Sequence, residues 1–232
     1  MYILTALSGL TYGDKKMKLY AIVGSPNSRK VLAVIHHLGI DVNIEYLDLS
    51  EGDCHKPEYR ALNPNEMVPV LVDGDLKLWE SNAITQYLVD SSMDQTLFPR
   101  DLKQRADIVR WQFWELAHFN NAFGTLSFES VAKPNFMQIQ GDQELINRSA
   151  DQLSKFASVL NEQMQGRAYV VGDTMTIADY SMINAEFFKE MVPFDWSPYP
   201  HLNDYFDRMR QSQHWLATAP NDPGDIGKIP SA

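Results

Sequence analysis

Apolar residues fall into two regimes along the chain. Up to about residue 90 they come in short runs and alternations; beyond residue 100 they recur at helical spacing. Residues 18–23, KLYAIV, predict a strand. Gly24-Ser25-Pro26 ends it, with Ser25 suited to a helix N-cap and Pro26 to the first helical position. Val31, Leu32, Val34, Ile35 and Leu38 then predict a helix that stops at Gly39. Val42, Ile44 and Tyr46 alternate as a second strand, which completes a parallel crossover unit. A polar stretch over 50–60 holds a short helix. Asn63-Pro64 is a turn. Residues 68–72 predict a strand with Pro69 near its start, where a missing N–H does least harm. Asp73-Gly74 marks a hairpin to a last strand around Leu76-Lys77-Leu78, and Glu80-Ser81-Asn82 leads into a helix over 83–89. The order is βαβ, then ββα.

Leu97-Phe98-Pro99-Arg100 reads as a linker, and the rest is helical, over 102–119, 143–165, 177–191 and 201–211. The first of these helices carries two stripes. One is Leu102, Ala106, Val109, Phe113 and Leu116; the other is Ile108, Trp111, Glu115 or Trp114, and His118. Two stripes predict a helix covered on more than one side, by its own bundle and by a cleft or a second subunit. The fold class is thus an α/β N-terminal domain over 17–93 followed by an all-α domain over 101–219. Residues 1–16, ahead of Met17, form an N-terminal extension set aside from the fold. Residues 220–232, rich in Gly, Pro and Asp, read as a mobile tail.

Charge and cysteine use narrow the function classes. The formal net charge of -10 argues against nucleic acid and anionic lipid as partners. Cys54 is the single cysteine and no metal-ligand spacing surrounds it, so neither a disulfide nor a metal is expected. This fits a reducing compartment and a cytoplasmic location. No apolar run reaches the length of a membrane span, and the start lacks the basic head and cleavage site of a signal peptide.

Three local features converge on chemistry. Ser25 stands where a helix N-terminus offers free N–H groups and partial positive charge, an environment that stabilises an anion such as a thiolate. Its plain alternative is helix capping. Val68-Pro69 at a strand start offers a backbone edge to a peptide-like ligand, or is an ordinary strand start. Glu80-Ser81 at a helix start offers groups for a carboxylate and an ammonium, or simply caps that helix. Together they suggest a small peptide with a free α-amino-acid end and a thiol. His36 and His37 sit in an ordinary helix and carry no site signal.

The stretches KLYAIVGSPNSRKVLAVIHHLGI, YRALNPNEMVPVLVDGDLKLWESNAITQYL and VVGDTMTIADYS resemble the glutathione S-transferases. The likeness covers about residues 18–217, and it identifies 18–90 with that family's thioredoxin-like domain. The resemblance implies glutathione as co-substrate and an apolar electrophile as second substrate, with no metal and a homodimer. In serine-type members the thiol-activating serine lies six residues before the first apolar residue of helix one. Here that is Ser25, with Ser28 as the rival. The glutathione-binding positions it implies are His55, Lys56, Met67, Val68, Pro69, Glu80 and Ser81. Met67 stands where plant-like members often have Gln or Lys, and it cannot donate a hydrogen bond. Trp111, Trp114, His118, Phe119 and Phe123 fall on the helix that helps line the hydrophobic pocket, with core packing as their alternative. Thr176 and Asp179 match a capping box of structural role. The competing readings are a relative that binds ligand with little or no turnover, and a specialised glutathione-dependent dehalogenase, isomerase or peroxidase.

Overall fold

The computed structural model of the protein describes residues 16–230. The N-terminal extension read from the sequence therefore lies, apart from Lys16, outside the described residues. The first domain is built on four strands: β1 (Lys18–Ala21), β2 (Asn43–Tyr46), β3 (Val70–Asp73) and β4 (Leu76–Trp79). Their order is β2-β1-β3-β4. β1 and β2 run parallel, and β3 is antiparallel to both β1 and β4. The crossover between β1 and β2 is α1 (Pro26–Leu38), started by Ser25 and stopped by Gly39 in the left-handed conformation. A short α2 (Pro57–Arg60) follows a 3-10 turn at Asp53–His55, and α3 (Ser81–Ser91) closes the domain. Strand pairing begins at Val70 rather than at residue 68. Pro69 has no N–H to give the ladder, and the Val68-Pro69 peptide, which is cis, precedes the register. Leu19, Ala21, Val31, Val34, Leu71, Ile84 and Leu88 are fully buried between the sheet and α1 and α3.

In the second domain α4 (Leu102–Trp114) does not end near residue 119 as its sequence predicts. A π-helical stretch, Glu115–Phe119, carries it into α5 (Asn120–Ser127), and a second one, Phe128–Met137, extends the path further. Asn120, Asn121 and Gly124 weaken helix propensity. Burial of Phe123 and Leu126, on the helix that packs against α6 (Gln143–Met164), overrides that weakness. α7 (Ile177–Met182) is wholly buried. A 3-10 turn at Ile183–Ala185 then leads to α8 (Glu186–Lys189), α9 (Pro200–Arg210) and α10 (Gln213–Leu216). The capping box at the start of α7 is present. Asp179 accepts the Thr176 N–H at 2.8 Å, the Val170 N–H at 2.8 Å and the Thr176 and Tyr205 hydroxyls at 3.1 and 3.3 Å. No helix among the described residues is long and apolar enough to cross a membrane.

Two connecting segments are more engaged than their composition suggests. The linker residues Leu97 and Phe98 are buried, and Ile177 N–H donates to the Leu97 carbonyl at 2.9 Å. The tail returns to the first domain. Gly227 N–H donates to the Val23 carbonyl at 3.0 Å, and Leu49 N–H donates to the Gly227 carbonyl at 2.8 Å.

Candidate active site

β1 ends at Ala21 and the chain turns through Gly24, whose φ of +78° favours glycine, to place Ser25 at the head of α1. Ser25 is half-buried. Its Oγ accepts the Ser28 N–H at 3.4 Å, and its own proton goes to no acceptor among the described residues. Ser28 is placed differently. It has no exposed surface, and its Oγ accepts the Ile22 N–H at 3.2 Å. Of the two serines, only Ser25 presents a hydroxyl to the outside of the turn.

Of the other first-domain positions, Val68 and Ser81 are the ones placed beside this turn. β3 runs antiparallel to β1 with Val70 opposite Tyr20, so continuing that register by two residues sets Val68 level with Ile22. Val68 is half-buried, and its backbone lies outside the paired ladder. The loop before it is pinned by its own carbonyl: Met67 C=O accepts from Tyr59 Oη at 2.7 Å and from Asn63 Nδ2 at 2.8 Å. Met67 as a residue is 69% exposed, and its side chain is held by none of these bonds. Glu80 is exposed with φ +73°, at the start of an α3 whose first N–H groups have no side-chain cap. Ser81 is buried, and its hydroxyl is already committed: it donates to Asn27 Oδ1 at 3.1 Å and accepts from Lys30 Nζ at 3.1 Å. His55 and Lys56 are both exposed; His55 pairs with Glu66, and Lys56 pairs with Asp53.

Behind Ser81 lies a polar network that sequence reading missed. Lys30 has no exposed surface. Its ammonium donates to Ser81 Oγ and, at 2.9 Å, to Asn82 Oδ1, and lies 4.0 Å from Glu115 Oε2 on the second domain. That Glu115 oxygen makes no hydrogen bond. Burial pushes the Lys30 pKa down and the Glu115 pKa up, and each charge partly holds the other in place. Asn27 Oδ1 also accepts from Asn184 Nδ2 at 3.1 Å, so the Ser25 turn, α3 and the helical domain share one set of bonds. A charged residue on a helix face that must be covered twice is the signal that would have found Glu115; Lys30, on α1, carries no such mark.

The aromatic set divides. Phe119 and Phe123 are in the core, stacked on each other, with Phe123 against Trp196. Trp111, Trp114 and His118 lie toward α6. Trp114 and His118 pack on Phe156, and a cavity of about 400 Å³ is lined by Arg110, Trp111, Trp114, Val159, Glu162 and Gln163. The side of this helix that meets the first domain carries Gln112 and Glu115 instead.

Comparison with known proteins bears on this arrangement. Residues 15–90 match the N-terminal domain family of glutathione S-transferases, and residues 120–213 match the C-terminal domain family. The chain is 30% identical over 206 residues to glutathione S-transferase D7 of Drosophila melanogaster, covering 88% of this chain and 84% of that one. Among solved structures it resembles the theta class glutathione S-transferase of Xanthomonas axonopodis pv. citri with glutathione bound. That match has 26% identity and a TM-score of 0.79, over 89% of this chain and 98% of that one. It also resembles glutathione transferase BmGSTD1 of Bombyx mori, at 28% identity and a TM-score of 0.74, over 85% and 88% of the two chains. Two matched domains in the order and positions of the observed fold, with a relative aligned over most of both chains, place this chain in the glutathione S-transferase family of enzymes.

Proposed function

We propose that the protein binds glutathione across the Ser25 turn, the Val68 backbone and the start of α3, and that the Ser25 hydroxyl donates a hydrogen bond to the glutathione sulfur. The observation that carries this is the uncommitted proton of Ser25 beside a helix N-terminus, set against the buried, occupied hydroxyl of Ser28. A free thiol has a pKa of about 8.5, so a few per cent is ionised at neutral pH. A donor and a positive helix end favour the thiolate over the thiol. The thiol proton leaves to solvent. The sulfur lone pair then forms a bond to an electrophilic carbon, and that carbon's leaving group departs with its bonding pair, or its π electrons shift in an addition. Holding the two reactants together supplies the remaining gain.

The α3 N-terminus is suited to the α-carboxylate of the γ-glutamyl end, and Glu80 to its ammonium. Because the Ser81 side chain is spent on Asn27 and Lys30, the N–H groups of α3 are assigned the carboxylate. His55 and Lys56 are assigned the glycyl carboxylate, in competition with Glu66 and Asp53. A homodimer and a cytoplasmic location belong to the same reading.

Ser25→Ala is the test. The pKa of glutathione bound to the protein, read from thiolate absorbance against pH, should rise by about one unit. That corresponds to about 1.4 kcal/mol of lost preference for the thiolate. An unchanged value would take the role away from Ser25. A ligand-binding relative with little turnover is favoured by Met67, whose exposed thioether has no N–H or O–H to donate. Retention on immobilised glutathione without turnover of a chromogenic electrophile would establish that second reading.

A further inference from the structure

Beyond Ala21 and Leu47, which still pair with each other (Leu47 N–H to Ala21 C=O, 2.9 Å), the two chain segments leaving β1 and β2 separate. A residue from the far end of the chain fills the gap. Gly227 gives its N–H to Val23 and takes the N–H of Leu49, so one tail residue joins the loop that carries Ser25 to the loop that leads to His55 and Lys56. Gly227 is buried, and its φ of +81° is one that favours glycine. The preceding residue, Ile226, closes over Gly24. A Cβ built on Gly24 would stand 3.0 Å from both Ile226 Cγ1 and Cγ2. The residue next to Ser25 is thus packed directly by the tail.

The tail reaches this position along a preformed path. The chain just ahead of it is fixed to α1 by Arg29. This residue donates to Thr218 Oγ1 at 3.2 Å and to the Trp215 carbonyl at 3.4 Å, and its guanidinium lies 4.1 Å from the Trp215 ring centroid. A turn follows, held by Asp225 N–H to Asp222 C=O at 3.0 Å and Lys228 N–H to Asp225 C=O at 3.0 Å. Between these anchors the segment stands off the first domain across a cavity of about 680 Å³, lined among others by Leu32, Ile35, Ile40 and Ile44. A tail whose role was to cover apolar surface would lie flush there. This one is joined to the first domain beyond that cavity at the loop ends.

We propose that residues 220–228 are a strap that fixes the Ser25 turn, with Ile226 and Gly227 as positioning residues for the thiolate-stabilising hydroxyl. The proposal rests on the reading of Ser25 given above. A hydrogen bond weakens steeply as its angle and length depart from the optimum. A turn freed at Val23 and Gly24 therefore holds the hydroxyl less well against the sulfur, even with the rest of the fold intact.

The test uses the full chain, Ser25→Ala, Ile226→Ala, Ile226→Val and a chain ended after Ala219. The pKa of bound glutathione and the acidic limb of the pH–rate profile are measured for each. Ile226→Ala and the shortened chain should raise the bound thiol pKa in the same direction as Ser25→Ala, by up to about one unit, which is up to about tenfold less thiolate well below the pKa. Ile226→Val should restore it. If Ser25→Ala shifts the pKa and neither tail variant does, the strap is overturned and the Ser25 reading stands. If Ser25→Ala itself shifts nothing, both fall. Should the shortened chain fail to fold, Ile226→Ala, which keeps both backbone bonds, decides alone.

Discussion

A lysine with no exposed surface holds its charge only against partners that replace water. Lys30 has three, Ser81, Asn82 and Glu115, and the last is itself buried with an oxygen that makes no hydrogen bond. Lys30→Met should therefore cost about 3–5 kcal/mol, mainly because it leaves Glu115 without its counter-charge. The double variant Lys30→Met/Glu115→Leu should recover most of that loss, since an apolar pair of similar volume needs no desolvation. Urea unfolding with an unchanged slope measures both. A double variant no more stable than the single one would refute the pairing. At this scale the sequence marks Ser25, Val68 and Ser81 through order and spacing, because local chain geometry sets their backbone positions. It does not mark Lys30. The apolar spacing of α1 predicts the face that meets the sheet, whereas Lys30 is buried by Ser81 and Glu115, the latter delivered by a helix more than eighty positions on.

Elements fail or succeed in the sequence according to how local their cause is. The start of α7 was readable because a capping box needs only Thr176 and Asp179 three residues apart. The same geometry predicts unequal costs for removing its halves. Thr176→Ala deletes one capping hydroxyl and should cost about 1 kcal/mol. Asp179→Ala strands the buried Val170 and Thr176 N–H groups, each an unmade bond of about 1–3 kcal/mol, while Tyr205 keeps the backbone carbonyl of residue 179, and it should cost several times as much. Denaturant midpoints for the two variants provide the check, and equal losses would contradict the assignment. The long helix shows the opposite case. Its continuation past residue 119 depends on packing against α6 and on two π-helical stretches, and neither leaves a period in the sequence. The tail departs from its expected mobility for a related reason: Gly and Pro lower local order, but two bonds to Val23 and Leu49, made at great sequence separation, impose it.

At the scale of the whole molecule, α1 is the shared wall of both domains, and its last turn meets α10 through histidines. His36 Nδ1 lies 2.8 Å from His214 Nδ1, and the His37 ring stacks on His214 at 4.3 Å between centroids. His37 Nδ1 lies 2.9 Å from the Tyr180 hydroxyl of α7. Burial, then the neighbouring imidazoles, push His37 below its ordinary 6.5; burial and His36 do the same to His214. Asp94 and the negative end of the α1 dipole pull the other way and do not reverse the direction for His37. A folded-state pKa below the unfolded one means that the unfolded chain binds more protons in that window. The contribution is therefore complete above about pH 6.5 and is lost as pH falls through the folded-state values. Asp179, which burial pushes up to about 6, acts in the opposite sense: its stabilisation is present below its ordinary 3.8 and lost as pH rises through 6. Two groups oppose one, and they are separable. His214→Gln removes one titration and relieves part of the depression of His37, while leaving Asp179 untouched. The thermal midpoint of that variant should start lower at about pH 7.5, because the stacked ring is gone, yet fall less on going to about pH 5. A parallel fall in both proteins would place the acid sensitivity of the domain contact outside this cluster.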